Sequence, residues 1–421
     1  MKLGTAIETN DAGRARALLE QHPELRARLD EALPSGAFGA TPLLAAVHHK
    51  NREMIDLLLQ AGADIKVRSH WWAGSFGVLD GDSGLEDFLI ERGAVVDAHA
   101  AARLGRRDRL QELLAADPDR VHARGGDGQT PLHFAANVET AAYLLEQGAE
   151  IDALDIDHES TPAQWMLENR HEVARFLVSR GCRTDLLMAA ALGDLGLVQQ
   201  HLDRDPATIR MSVSEEWFPR RNPRSAGTIY QWTLDRDKTG PFIARKFGHE
   251  EVYRFLMERS PEAQQLTVAC EVGDEVRVRE LLARRPGPAN ALAEAEKRKL
   301  PVAGKDSNVK AVRLMLAAGW PVDTRGRQHG ETALHWAAFH GNPDLVREIL
   351  PYHPQLELRS EEFDGTALHW GIYGSLHGWH PERGDYAATV RLLLEAGAKA
   401  PAVSGDLEAS DAVLEVLRRN G

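Results

Sequence analysis

Cysteine is nearly absent: Cys182 and Cys270 are the only two in 421 residues. So few cannot build a disulfide framework, and their scarcity fits a reducing cytoplasm. Basic charge is in deficit as well. Lys and Arg number 50 against 63 acidic residues, a net charge of −13. That is the wrong sign for general nucleic-acid or anionic-membrane binding, which needs a positive field. No apolar run approaches the ~18 residues of a membrane span. The opening stretch MKLGTAIETNDAGRARALLE turns charged at once, without the apolar core of a secretory signal. Also missing in context are the G-x-S-x-G elbow, the phosphate-cradling Walker loop, the HExxH zinc helix and the dinucleotide fingerprint. What is present is a hydrophobic content of 43%, ample for a packed core, so a wholly disordered chain is excluded.

Length alone predicts two to four globular domains, unless the chain grows by repetition. Two strings do recur. One closes an apolar helical pattern with glycine: LLLQAGAD at 57–64, FLIERGA at 88–94, YLLEQGAE at 143–150, FLVSRGC at 176–182, LMLAAGW at 314–320 and LLLEAGAK at 392–399. The other precedes many of them: TPLLAA from Thr41, TPLHFAA from Thr130, TPAQWM from Thr161, TALHWAA from Thr332 and TALHWG from Thr366. Each Thr suits a helix N-cap, its hydroxyl accepting from an N–H of the first turn. Pro42, Pro131 and Pro162 then occupy the first helical position, where an N–H has no partner to lose. The closing residues Gly62, Gly93, Gly148, Gly181, Gly319 and Gly397 suit the left-handed position after a helix C-terminus. The predicted unit is helix, tight turn, helix, loop.

Thr-Pro-Leu-His-x-Ala followed by Leu-Leu-x-x-Gly-Ala, at a period of about 33 residues, resembles the ankyrin repeat. The resemblance covers essentially the whole chain. It implies an all-α solenoid of about twelve helix pairs over 1–421, in which loop tips and inner first helices form a concave contact surface for a protein partner. The strings GTIYQWTLDRDKTGPFIARKFGHEEVYRFLMERSP and GSLHGWHPERGDY also look like a bacterial, largely uncharacterised group of ankyrin proteins, from which no activity carries over. The resemblance further implies that His133, His335 and His369 link neighbouring loops rather than catalyse.

Spacing between the repeat ends is uneven. Three intervals, closing at Asp117, Asp205 and Arg285, are only 24 or 25 residues. They have room for both helices and none for a projecting finger, so full-length and finger-less repeats should alternate, leaving gaps near residues 98, 185 and 264. Loops inserted at 206–238 and 375–384 lengthen two other intervals, and 1–30 and 400–421 read as capping repeats whose outer faces turn polar.

Residues on the expected concave face are the candidate partner contacts. On first helices these are His48, His49, Phe339, His340 and Tyr373. At loop tips they are Gln328, His329, Glu331 and Phe363. Trp71 and Trp72 in a hairpin and Trp379 in an insertion add aromatic anchors. An alternative places a small-molecule, carbohydrate or enzymatic site in the Trp/His/Tyr cluster 362–386, with Glu362, Asp364, His380 and Asp385 as acid–base groups. That alternative requires a pocket of ~300 Å³ or more holding at least two of them. His377 and His380 form a weak HxxH pair, and neither metal nor cofactor is expected.

Overall fold

The computed structural model describes residues 2–284, 292–402 and 407–420. Arg285, taken above as a repeat end, and residues 403–406 and 421 of the C-terminal capping segment lie outside the described residues. Among the described residues every regular element is helical, and the only β-type pairing is an isolated antiparallel bridge between Ser212 and Thr239. The chain divides into two compact units, 1–252 and 253–421.

Within each unit, helices follow one another in the expected twos. In the first unit Lys2–Glu8 and Ala12–Gln21 precede Pro42–His48 and Arg52–Ala61. First helix packs on first helix and second on second. In the second unit Lys299–Lys305, Ala333–Phe339 and Ala367–His377 form one layer, and Val309–Ala317, Pro343–Ile349 and Tyr386–Glu395 the other. The closing glycines all take left-handed φ, from 89° at Gly181 to 107° at Gly62, which ends each second helix. The finger-less repeats are built as the spacing requires. Asp97 and Asp185 each accept from the N–H three residues on, Ala100 at 2.9 Å and Met188 at 2.8 Å. A helix thus begins where a finger would otherwise stand.

Two first helices fall short of expectation. Thr130 is followed only by the single 3₁₀ turn Pro131–Phe134, and Thr161 only by Pro162–Trp165. Chain length explains this. Thr130 lies 18 residues before Gly148 and Thr161 lies 20 before Gly181, against 21 from Thr41 to Gly62. With the second helix kept, the first loses its residues.

The fingers end in left-handed turns at Phe38, Asp127, Glu159, Gly330 and Asp364. Their tips are tied in series by backbone hydrogen bonds. His70 N–H donates to Gly39 O at 2.9 Å, Ile156 N–H to Asp127 O at 2.8 Å, and Ala226 N–H to Asp157 O at 2.9 Å. The gaps expected near 98 and 185 are therefore bridged. At the first, the long hairpin carrying Trp71 leans across: a Cβ on Gly74 would stand 2.1 Å from Gly125 O. At the second, the 206–238 insertion folds back and supplies the missing tip. It interrupts the chain without interrupting the stack, since Leu186–Leu192 and Gly240–Lys246, on either side of it, still pack together.

Two of the three repeat histidines, His335 and His133, act as buried links, whereas His369 is half-buried and is hydrogen-bonded only within its own turn, to Thr366. Thr332 N–H donates to His335 Nδ1 at 3.2 Å, so the ring proton sits on Nε2, which donates to Gly365 O in the next finger at 3.1 Å. His133 does the same between Thr130 and Ser160. Burial pushes the His335 pKa down to about 4, Arg325 adds to this, and the Gly365 hydrogen bond and Glu331 oppose it. An unfolded chain takes up this proton below about pH 6.5, the folded chain only near 4. Protons therefore favour unfolding across that window. His335 should cost the second unit about 1.4 kcal/mol per pH unit as pH falls from 6.5 to 4, with its stabilisation fully present above 6.5. Urea midpoints at pH 7 and pH 5 check this, because the excess slope should vanish in His335→Gln.

Candidate functional site

The second unit carries a wall of aromatic rings. Its base is set by helical spacing. Trp336 and Trp370 each stand four residues after a capping Thr and are buried. Their indole N–H groups donate into the preceding loops, to Glu331 Oε1 at 3.3 Å and Ser360 Oγ at 3.2 Å. The two rings meet edge to face at 5.3 Å between centroids.

Ala367–His377 is a turn longer than the neighbouring first helix Ala333–Phe339, and it lies close against it. A Cβ on Gly374 would come within 2.4 Å of Phe339 O, so only glycine fits there. Tyr386, buried at the start of the following helix, donates from its hydroxyl to the same carbonyl at 3.0 Å. Between these helices the chain from 378 to 385 doubles back. It lays Trp379 over Trp336, Phe339 and His340, at 5.5, 5.7 and 5.2 Å between centroids. The Lys305 ammonium lies 5.5 Å from the Trp336 ring and 5.7 Å from Trp379, a cation–π arrangement. His340 donates through Nε2 to Lys305 O at 2.9 Å, and burial holds its pKa below the usual imidazole range.

Three aromatic side chains of this wall remain open, Phe363 (59% exposed), Tyr373 (57%) and Trp379 (55%), and Leu376 on the helix that carries Tyr373 is 47% exposed. Phe363 packs on His329 and Trp370, and Tyr373 stacks on His377 one turn further along. Of the expected contacts, the structure thus gathers His329, Phe339, His340, Phe363, Tyr373 and Trp379, with Phe339 and His340 half-buried as supports. Gln328 is exposed beside Lys305, its Oε1 accepting at 3.4 Å. Glu331 departs from the expectation. It is buried, accepting from His329 N–H at 2.9 Å and from Trp336, and it holds the loop from inside.

In the first unit, His48 and His49 are exposed at a helix end. Trp71 and Trp72 are half-buried and used internally: Trp71 donates to Asp127 Oδ1 at 3.0 Å and Trp72 lies under the Arg224 guanidinium at 4.5 Å. Nearby, Arg220 pairs with Glu215 at 2.7 Å and the Arg221 backbone N–H donates to Glu159.

The four acid–base candidates go separate ways. Glu362 pairs with His329, Asp364 takes the Arg359 guanidinium at 3.0 Å, His380 faces Glu382 at 3.8 Å, and Asp385 caps the helix Tyr386–Glu395 by accepting from Ala388 N–H. A depression of about 540 Å³ in this unit is lined by Arg325 and residues 355–359 and includes none of the four. His377 and His380 turn to different carboxylates, Glu408 and Glu382. Both cysteines are buried, and burial pushes the Cys182 thiol up to about 12, far from thiolate chemistry.

No helix among the described residues is long and apolar enough to cross a membrane. The family model for ankyrin repeats in three copies matches residues 98–188 and 300–403, and that for a single ankyrin repeat matches 38–70. The chain is similar to the B-cell lymphoma 3 protein of Homo sapiens, 31% identical over 170 residues, covering 35% of this chain and 37% of that protein. It is also similar to the ankyrin repeat-containing protein C6C3.08 of Schizosaccharomyces pombe, 31% identical over 117 residues, covering 24% and 50%. The matches thus span half or less of these relatives' own length. With matched repeats over more than half of the sequence and the stacked helices and linked fingers to go with them, the chain belongs to the ankyrin-repeat proteins.

Proposed function

We propose that this chain is a non-catalytic scaffold that captures a protein partner on the aromatic wall of its second unit, with Phe363, Tyr373 and Trp379 as anchors and Gln328, His329, Phe339 and His340 around them. Ankyrin repeats generally act through protein–protein contacts. The observation that carries the reading is the set of half-exposed aromatic side chains Phe363, Tyr373 and Trp379 beside two tightly packed helices. Preorganised aromatic surface loses little conformational freedom on docking, and Trp and Tyr dominate binding energy where they fill a partner's pocket. His48 and His49 extend the same reading into the first unit. The negative net charge speaks for protein rather than nucleic acid or anionic membrane as partner, and the two buried thiols accord with a reducing cytoplasm. Affinity capture with the whole chain tests this, run beside a Phe363→Ala/Tyr373→Ala/Trp379→Ala variant with the same thermal stability. A protein retained by the first and lost by the second supports the reading, and equal retention removes it.

A further inference from the structure

A second cluster lies in the first unit, where two finger tips and the insertion meet. Asp127 sits at one tip, Asp157 and His158 at the next, and residues 226–227 of the insertion close over them. Each side chain is held from behind. The Trp71 indole N–H donates to Asp127 Oδ1 at 3.0 Å and the Ala226 N–H to Asp157 Oδ1 at 3.3 Å. His158 Nδ1 lies 3.1 Å from Gly227 O. A carbonyl only accepts, so Nδ1 carries the proton and the neutral ring offers a lone pair at Nε2.

The three remaining donor atoms converge. His158 Nε2 stands 3.8 Å from Asp127 Oδ2 and 3.7 Å from Asp157 Oδ2, and ligand atoms of all three residues lie within 4.8 Å of one another. Those separations exceed hydrogen-bond length, and no hydrogen bond among the described residues reaches Nε2 or either Oδ2. The side chains are only 10%, 4% and 8% exposed for Asp127, Asp157 and His158. Trp165 and Trp232 pack edge-on to the imidazole at 5.2 and 4.7 Å. Buried lone pairs, two of them on carboxylates, do not face one another at low cost unless a cation lies between them. Asp155, buried alongside, brings further negative charge and is already engaged with Trp165, the His158 N–H and the Ser160 N–H.

We propose that Asp127, Asp157 and His158 bind one divalent transition-metal ion of the zinc class. One imidazole nitrogen with two carboxylate oxygens selects such an ion over soft Cu(I) and over the all-oxygen sites of calcium and magnesium. Tetrahedral bonds of ~2.1 Å set donors about 3.4 Å apart, close to the 3.8 and 3.7 Å that separate His158 Nε2 from the two carboxylates. The backing bond from His158 Nδ1 to a carbonyl is the kind that fixes a metal-binding imidazole. The position of Asp127 is tightly determined. Its φ is 54°, and a Cβ on either flanking glycine would collide, Gly126 with Phe76 at 2.2 Å and Gly128 with Ile156 at 2.3 Å. His158 and Gly227 also line a cavity of about 270 Å³ under the insertion. The ion's role is structural: it ties one finger tip to the next, and the insertion is hydrogen-bonded to two of the ligands from behind.

Metal-stripped whole chain, titrated with Zn²⁺ against a chromophoric chelator, should bind one equivalent, and Zn²⁺ should raise the melting temperature of the first unit. His158→Gln and Asp157→Asn should each weaken binding by about 100-fold or more, since even outer-sphere partners are worth 10- to 100-fold. His377→Ala/His380→Ala, which removes the surface HxxH pair, should bind like the parent. Co²⁺ loaded into the unmodified chain should give the intense visible bands of a tetrahedral site, a readout independent of how well the variants fold. Two results overturn the proposal: cobalt spectra of the aqua ion only, or stoichiometric zinc that survives His158→Gln and Asp157→Asn.

Discussion

Trp379→Ala should weaken partner capture by about 30-fold or more while leaving the melting temperature of the second unit within a few degrees of the parent. The first figure follows from about 2 kcal/mol for an aromatic at the centre of an interface. The second follows from position: the ring is 55% exposed and rests on the stack from outside. Trp336→Ala is the contrasting variant. That ring is buried between Phe339, His340 and Trp370 and donates to Glu331, so its removal should cost about 3–5 kcal/mol of stability. Phe339→Ala and His340→Ala would mix the two effects, because both side chains brace Trp379 and His340 also holds the end of the helix Lys299–Lys305. Surface plasmon resonance with the captured partner, alongside differential scanning calorimetry, separates the cases. Trp379→Ala binding as tightly as the parent would remove the wall's central anchor.

Tyr230→Ala should destabilise the first unit by about 4 kcal/mol, the range for a fully buried aromatic. Tyr230 is the largest wholly buried side chain of the insertion, with Phe218 edge-on at 5.2 Å. Its hydroxyl donates to Asp185 Oδ2 at 2.8 Å, while Asp185 Oδ1 caps the helix Leu186–Leu192 through Met188 N–H. Burial pushes both the phenol and the carboxyl upward from their ordinary ranges. Tyr230→Phe keeps the packing but leaves a buried carboxylate oxygen without its donor, for about 1–3 kcal/mol. Guanidinium unfolding of the three proteins gives the series. A Tyr230→Ala protein as stable as the parent would mean that the insertion is an ornament rather than part of the core.

The sequence announces the repeat because its signals are local. Threonine caps, proline at the first helical position and a left-handed closing glycine each act within one turn, and the short intervals at 93–117 and 181–205 show directly where fingers have no room. The shortened first helices after Thr130 and Thr161 were equally visible in the count of residues to the next glycine. What joins distant positions was not legible. Trp71 meets Asp127 across 56 residues and Ala226 meets Asp157 across 69. Nothing in either neighbourhood names its partner, and the insertion read as a loop that lengthens one interval rather than as a replacement finger. Gly126-Asp127-Gly128 and the run from Asp155 to His158 were the available hints: an acidic residue at a two-glycine turn, and a dense group of metal-competent side chains. The aromatic wall was legible in membership but not in rank. Burial, not composition, separates Glu331 inside the loop from Phe363 outside it.

The chain of bonds along the finger tips bears on how the protein would yield to force. An ordinary solenoid drawn out by its ends peels away unit by unit, because each repeat holds only its neighbours. Here the tip at 154–161 is gripped by Asp127 on one side and by residues 225–230 on the other. The stretch from 124 to 230 should therefore give way in a single event, releasing about 350 Å of slack at the extended-chain length per residue, where a plain array would show a staircase of smaller steps.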